Sequence, residues 1–433
     1  MPHLPIPTPA LVLLVGTSGS GKSTFARTHF GPYETVASDE CRGVVSNDPN
    51  DQTCTPDAFA LLHHVVALRL ARGLLTVVDA TNVQPEARRP LLALARQYHV
   101  PAVAVVLDLP ESVCQARNAA RTDRDVGPRV IHAQHASLRR SLPGLGREGV
   151  RVVHVLRSEA EVAAAVIERQ PLPSNRPADH GPFDVVGDVH GCADELEALL
   201  ALLGYAPDAA ADVDGVRAWR HPAGRRVIFL GDLVDRGPRT PDVLRIAIGM
   251  VEAGTALAVP GNHDVKLLKA LRGQVVHRTH GLALSLEQLD ATTPAFRARV
   301  ARFLDGLESH YVLDGGRLVV AHAGLTAELQ GRSSGAVRAF ALYGQTTGAR
   351  DEFGLPVRGA WAADYRGRAA VVYGHTPVAE PVWVHDTIDI DTGCVFGGRL
   401  TALRWPERGL VSVPARRQYA EPRRPFLQAP GGG

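Results

Sequence analysis

The sequence predicts an α/β protein built in two parts, and two patterns carry that prediction. Short apolar runs alternate with helix-period segments through both halves, the signature of strands wrapped by helices. Between the halves lies Pro-Leu-Pro-Ser-Asn-Arg-Pro at 171–177, a linker composition. With 45% hydrophobic and 21% charged residues, the chain reads as globular rather than disordered. Its 433 residues suffice for about two or three domains, each with its own core.

The elements follow in order. The first nine residues are rich in proline and read as an arm. Apolar runs place strands of the first half at 11–15, 34–38, 75–79, 103–107 and 150–156. Helix-period segments fall between them at 23–29, 56–71, 85–98 and 111–121. This βα alternation predicts a parallel sheet. In the second half, apolar runs place strands at 183–186, 227–230, 257–259, 318–321 and 370–373, each ending at a cluster of Asp, His, Asn or Gly. Residues 265–309 interrupt that series and read as a mostly helical cap near a site. The expected boundaries are a first domain at 1–168, a linker at 169–182, a second domain at 183–414 and a loose Pro/Arg/Gly-rich tail at 415–433.

Composition excludes several classes. A net charge of +2 gives no global basic field, so any nucleic-acid contact must come from local arginine clusters. No apolar stretch approaches membrane-spanning length, so no membrane partner is expected. The N-terminus lacks a charged region followed by a long apolar core, so no secretory signal is expected. The five cysteines are odd in number, scattered and without a Cys-x-x-Cys pair. They fit reduced thiols and a cytoplasmic location.

Gly-Thr-Ser-Gly-Ser-Gly-Lys-Ser-Thr at 16–24 follows the first strand and opens the first helix. That order is a nucleoside-triphosphate cradle. Glycines turn backbone N–H groups toward phosphates, and the helix start adds partial positive charge. The cradle comprises Gly16, Ser18, Gly19, Ser20, Gly21, Lys22, Ser23 and Thr24. Lys22 is expected to reach the β- and γ-phosphates of ATP, and Ser23 to touch Mg²⁺. Of 47 Lys plus Arg, only residues 22, 266 and 269 are lysine. A lysine standing by accident at the one position that needs it is improbable.

Five polar segments punctuate the second half: Gly-Asp-Val-His-Gly at 187–191, Gly-Asp-Leu-Val-Asp-Arg-Gly at 231–237, Gly-Asn-His-Asp at 261–264, His-Ala-Gly at 322–324 and Gly-His-Thr-Pro at 374–377. Singly, each is a turn. Together, after strands, they put ligands at the carboxyl ends of a sheet. Mixed carboxylate, amide and imidazole donors suit two divalent transition metals, with Mn²⁺ the first choice. Asp188, His190 and Asp232 would hold one ion. Asn262, His322 and His375 would hold the other, with Asp232 bridging. Two ions about 3.5–4 Å apart clamp a phosphate and activate a water. Arg236 would bind the phosphate as a fork. His263 would protonate the leaving oxygen, with Asp264 fixing its tautomer. Asp235 reads either as a carboxylate behind the ligands or as a cap. Asp391 reads either as a further metal ligand or as a strand-end turn.

These five segments resemble the calcineurin-like binuclear metallophosphoesterases. The first half resembles the kinases that phosphorylate polynucleotide 5′-hydroxyl ends. The two in this order resemble the bacterial polynucleotide kinase–phosphatases. That resemblance implies Asp39 as the base for the 5′-hydroxyl and Arg42 as the holder of the acceptor's phosphate. It implies Asp79 to Asn82 near the nucleotide or acceptor. It also implies Arg117 and Arg121, four apart and so on one helix face, as lid arginines on the transferred phosphoryl group. In so Arg-rich a chain the same pair also reads as solvated salt-bridge partners. Full-length members carry a third, ligase-like domain; no such lysine motif stands here, so sealing would fall to a separate ligase or to a part of the protein beyond this chain. A homodimer is implied by the resemblance alone.

The leading expectation is a bifunctional end-healing enzyme. It would phosphorylate 5′-hydroxyl ends with ATP and Mg²⁺, and clear 3′- or 2′-phosphate and 2′,3′-cyclic ends, with RNA ahead of DNA as partner. The alternative is a metallophosphatase of the protein-phosphatase or bis-nucleoside tetraphosphatase type fused to a small-metabolite P-loop kinase. Gly-Asn-His-Asp, where protein phosphatases have Gly-Asn-His-Glu, leans toward small substrates.

Overall fold

The computed structural model describes residues 1–122 and 126–427. Two compact units divide the chain: residues 1–172 with 332–334, and residues 173–331 with 335–433.

The first unit is built on a five-stranded, all-parallel sheet in the order Thr35–Ala37, Thr76–Asp79, Leu11–Gly16, Ala102–Leu107, Val152–Leu156. Leu11–Gly16 is central and every residue of it is buried. Its side chains alternate between two layers: Leu11, Leu13 and Val15 enter one helix-covered core, Val12 and Leu14 the other. An apolar run with no polar alternation is what a strand covered on both faces requires. The sequence places all five strands to within two residues at each end.

The proline-rich start is not an arm. His3–Thr8 is a strand, paired in parallel with Val166–Pro171. Pro5 and Pro7 alternate with Leu4 and Ile6, which are buried at 3% and 0% exposure. A two-stranded ribbon has only edges, so the missing proline N–H groups cost no ladder bond. The partner strand runs through residue 171, inside the stretch expected as linker.

The second unit is a sandwich of two mixed sheets. In the first, Ala256–Ala258, Arg226–Phe229 and Phe183–Val186 run parallel, and Arg399–Trp405 and Gly409–Pro414 complete it antiparallel. In the second, Leu318–Ala321, Ala370–Tyr373 and Thr387–Asp389 run parallel between the antiparallel edges His310–Leu313 and Trp383–Val384. Phe183, Val185 and Ile228 of one sheet meet Leu318, Val320 and Val372 of the other in a shared inner layer. The alternate residues Val186, Val227 and Phe229 face outward into a helix-covered core. The two-sheet arrangement was not legible, because each of the five expected strands reads as a buried parallel strand whichever sheet it joins.

Residues 265–309 are helical over most of their length, within Asn262–Leu271, Leu282–Asp290 and Pro294–Asp305. The expected loose tail is different. Gly409–Pro414 is followed by a chain that returns over the unit, where Leu427 N–H donates to Pro377 O at 3.0 Å. Residues 428–433 lie outside the described residues. No helix among the described residues is long and apolar enough to cross a membrane.

His310 supplies a stability prediction. It is fully buried, and its Nε2 accepts the Gly331 N–H at 3.2 Å. Burial pulls its pKa down to about 4. The unfolded chain therefore binds the extra proton first, so stability falls as pH drops from about 6.5 toward about 4. The loss from this one group is on the order of 3 kcal/mol, and His310→Gln should flatten that limb of a urea-midpoint-versus-pH curve.

Candidate metal centre and phosphate-loop site

Each parallel strand of the sandwich delivers its polar segment at the same end. Asp188 and His190 follow Phe183–Val186, Asp232 to Arg236 follow Arg226–Phe229, and Asn262 and His263 follow Ala256–Ala258. His322, His375 and Asp391 follow the three parallel strands of the other sheet. Five of these residues, His190, Asp232, Asp235, Arg236 and His375, hold left-handed backbone with φ of 45°, 46°, 73°, 70° and 76°. Non-glycine residues adopt that region only under constraint, and such strain gathers at functional sites. Gly261 is needed for room: a Cβ there would lie 2.0 Å from Asp232 Oδ1.

Asp232 is the shared centre. Its Oδ2 lies 3.4 Å from His190 Nε2, and its Oδ1 lies 3.6 Å from His322 Nε2. His322 Nε2 is also 3.3 Å from Asn262 Oδ1 and 3.0 Å from His375 Nδ1. Two groups of potential ligand atoms result, His190 with Asp232 and His263, and Asp232 with His322 and His375, each within 4.8 Å. Asp188 sits at the His375 side of the centre, where its carboxylate accepts the His375 N–H at 3.3 Å. Asp391 is buried and its Oδ1 accepts the Gly393 N–H at 3.0 Å.

The donor set fits divalent cations. His190 Nδ1 faces Val234 O at 2.8 Å and His322 Nδ1 faces Leu230 O at 3.1 Å. Each ring donates there, so each Nε2 presents a lone pair to Asp232. Burial holds His190, His322 and His375 below the usual imidazole range, so the lone pairs are kept. Burial raises Asp188 well above the carboxylate range, and Asp391 and Asp232 add to it. Burial likewise pushes Asp391 up to about 7, with Asp232 contributing. Acceptor nitrogens and carboxylates that face one another call for positive charge between them, which is what bound cations supply.

Two arginines bracket the centre. Arg236 Nη1 is 2.5 Å from His190 Nε2, and its Nη2 is 2.9 Å from His263 Nε2. Arg358, which the sequence did not single out, places Nη2 2.5 Å from His375 Nε2.

One expected role moves to another residue. His263 Nδ1 bonds Asp235 Oδ2 at 2.6 Å, not Asp264. Asp264 instead accepts the Gly261 N–H at 2.8 Å and the Leu233 N–H at 3.0 Å. It stands at the third position of the Asn262–Leu271 helix, where a carboxylate caps the free N–H groups. Its side chain is therefore committed to backbone. Asp235 is in turn held by Ser285 Oγ, which donates to Oδ1 at 2.7 Å. The helical cap thus buttresses the site through Ser285.

In the first unit the Gly16 to Thr24 loop joins Leu11–Gly16 to the Lys22–His29 helix. Gly19 has φ +79°, and a Cβ there would lie 2.2 Å from Cys114 O. Gly21 caps the helix with φ 93°. Ser18 N–H donates to Gln134 Oε1 at 2.8 Å, and Lys22 Nζ donates to Thr17 O at 2.8 Å. Ser20 Oγ is buried without a hydrogen-bond partner, while Ser23 and Thr24 are exposed on the first turn. Strand, loop, lysine and helix start have the geometry of a phosphate cradle.

Asp39 and Arg42 open the Ser38–Ser46 helix and pair with each other at 2.5 Å. Asp79 ends its strand and Asn82 Nδ2 donates to Leu14 O at 2.9 Å, behind the loop. Arg117 stands over the loop, with Nη1 3.5 Å from Ser20 O, and also pairs with Glu159 at 2.6 Å. Arg121 does not share a helix face with it. The helix is Glu111–Ala119, and Arg121 lies beyond its end. Thr-Asp follows at 122–123, residues that favour turns over helix.

Known proteins agree with this division. Residues 11–144 match a family described as AAA domain, and residues 181–379 match one described as calcineurin-like phosphoesterase. A bis(5′-nucleosyl)-tetraphosphatase PrpE [asymmetrical] of Anoxybacillus flavithermus is 44% identical over 249 residues, which are 56% of this chain and 99% of that protein. The chain belongs to the calcineurin-like phosphoesterase family. Proteins of the same name from Geobacillus thermodenitrificans and Bacillus subtilis are 45% and 43% identical, over 54% and 56% of this chain and 94% and 98% of those proteins. The chain is thus a metallophosphoesterase fused to a P-loop domain. These relatives carry the name of the alternative reading rather than that of a polynucleotide kinase–phosphatase.

Proposed function

We propose that the second unit hydrolyses bis(5′-nucleosyl) tetraphosphates, and that the first binds ATP and Mg²⁺ and transfers its terminal phosphoryl group. The observation that carries the first part is Asp232, shared by two ligand groups that Arg236 and Arg358 bracket on opposite sides. The near-complete span of the 44% identical relative supports it. Asp188, His190, Asp232, Asn262, His322 and His375 would hold two divalent cations, with Asp391 beside them. Such a pair activates a water and clamps the attacked phosphate. Arg236 offers a two-toothed fork to non-bridging phosphate oxygens. His263, with Nδ1 given to Asp235, turns Nε2 toward the substrate, the atom from which a proton would pass to a leaving oxygen.

The test is chromatographic. With Mn²⁺, diadenosine tetraphosphate should yield ATP and AMP, the unequal split of four phosphates. A chelator should stop the reaction and added Mn²⁺ restore it. Lys22→Ala should abolish ATP-dependent phosphorylation by the first unit and leave the hydrolysis unchanged. An intact tetraphosphate under these conditions would remove the reading.

A second reading, end healing of RNA beside a separate ligase, is favoured by one observation: the Ser285–Asp235–His263 chain. A phosphate leaving group is weakly basic and needs little protonation, whereas a ribose alkoxide needs a positioned acid. Asp39, at the start of the Ser38–Ser46 helix, and Arg117, over the loop, would then serve a 5′-hydroxyl acceptor. Removal of a nucleotide 3′-phosphate, opening of a 2′,3′-cyclic phosphate and labelling of 5′-hydroxyl RNA with ATP would establish it.

A further inference from the structure

The segment after residue 414 crosses the metal centre as a strap fixed at both ends. At the near end, Arg416 N–H and Tyr419 Oη–H donate to Glu195 Oε1 at 2.9 and 2.8 Å. Tyr419 and Ala420 N–H both donate to Val395 O at 3.0 Å. At the far end, Leu427 N–H donates to Pro377 O and Leu427 O accepts the Ala379 N–H, each at 3.0 Å. That second anchor lies two residues past His375. Phe426 packs over Gly393, where a Cβ would meet its ring at 2.4 Å, and lies 6.3 Å from Phe396.

Between the anchors, Arg423 and Arg424 line a cavity of about 520 Å³ together with Arg236 and Arg358. Asp232 and Asp391 belong to the metal centre, which leaves Glu421 as the other acid in the lining. Arg424 reaches Asp351 only at 3.6 Å. Among the described residues, no carboxylate pairs with Arg423. One phosphate needs one fork. Four arginines around one cavity are suited to an anion that carries charge beyond the attacked phosphate.

We propose that Arg423 and Arg424 of this strap are specificity determinants that grip the further phosphates of a linear polyphosphate chain while one phosphate lies at the metal centre. The proposal deepens the tetraphosphatase reading and rests on it for the substrate's full identity. The probes are tripolyphosphate and orthophosphate, each as a competitor of p-nitrophenyl phosphate hydrolysis by the full chain with free Mn²⁺ held constant. Competition for this reaction reports on the phosphoesterase cavity and not on the P-loop. Tripolyphosphate should compete about tenfold or more better than orthophosphate, and in the R423A/R424A double variant that ratio should fall to about one. R423K/R424K, which keeps the charges but not the forks, should fall between. A ratio that persists in R423A/R424A overturns the proposal. So does an equal weakening of both competitors, which would make the strap a scaffold. If tripolyphosphate shows no advantage over orthophosphate in the unaltered protein, it is overturned without any variant. Chromatography of diadenosine tetraphosphate separates the two claims. Uncleaved tetraphosphate with the ratio intact removes the substrate reading alone. Cleaved tetraphosphate with the ratio unaffected by R423A/R424A removes the strap alone.

Discussion

Asp232→Asn is expected to lower phosphoesterase turnover by on the order of 10³-fold or more, since a two-cation clamp supplies several kcal/mol to the transition state. The change is nearly isosteric and keeps an oxygen for the His263 N–H, which Asp232 Oδ1 accepts at 3.0 Å. What it removes is charge at the one carboxylate, among the described residues, that pairs with both His190 and His322. Asp188 lies elsewhere in the centre, at the His375 side, where its carboxylate accepts the His375 N–H at 3.3 Å. The measurement is turnover beside metal content after dialysis, with circular dichroism as the check on folding. The variant should retain fewer bound ions and an unchanged spectrum. Full metal content with full activity would mean that Asp232 is not the bridge.

The candidate ligand set could be picked out because each of its residues follows an apolar strand. A parallel strand ends where its apolar run ends, so the polar residue just after it is delivered to the rim of the sheet. Asp188, Asp232, Asn262, His322 and His375 need only that rule. Partners that approach from elsewhere in the chain leave no such mark. Ser285 sits mid-helix among apolar residues and reaches Asp235 only because the helices of 262–305 fold back over the site. Arg358 precedes His375 by seventeen residues and closes the hairpin of Thr346–Arg350 and Pro356–Arg358, paired with Thr346. In an arginine-rich chain neither spacing nor residue type marks it out.

The exchange of Asp264 for Asp235 shows where sequence proximity misleads. Asp264 is adjacent to His263, but in a helix neighbours i and i+1 point apart, and a carboxylate at the third helical position finds free backbone N–H groups first. Asp235 is twenty-eight positions away yet belongs to the loop of the adjacent parallel strand. The tail misled for a different reason. Proline, arginine and glycine read as a loose end when nothing is known of what lies beneath. Here the prolines stiffen a span between two anchors, and Arg423 and Arg424 face a cavity rather than solvent alone.

The size of the His263→Ala effect should depend on the leaving group, and that dependence tests whether His263 delivers a proton. A positioned general acid contributes about 10²–10⁴-fold where the departing oxygen is strongly basic, and little where it is not. Hydrolysis of p-nitrophenyl phosphate and of the tetraphosphate anhydride should therefore fall only modestly, and removal of a ribose 3′-phosphate by the full factor. Asp235→Asn should cost about 10–100-fold on the ribose substrate, by letting the ring turn away from its 2.6 Å partner. Because Asp235 acts through His263, the H263A/D235N double variant should be no slower than H263A alone. Kinetics on the three substrates, for the two single variants and the double, make the measurement. A uniform loss across all three would show that His263 holds the phosphate or a cation rather than delivering a proton. That outcome is compatible with its place in the His190, Asp232 and His263 group. A loss confined to the ribose substrate would show that the buttressed histidine delivers the proton to a departing alkoxide, and the relative turnover of the ribose phosphate and the tetraphosphate by the unaltered protein then decides between the two readings.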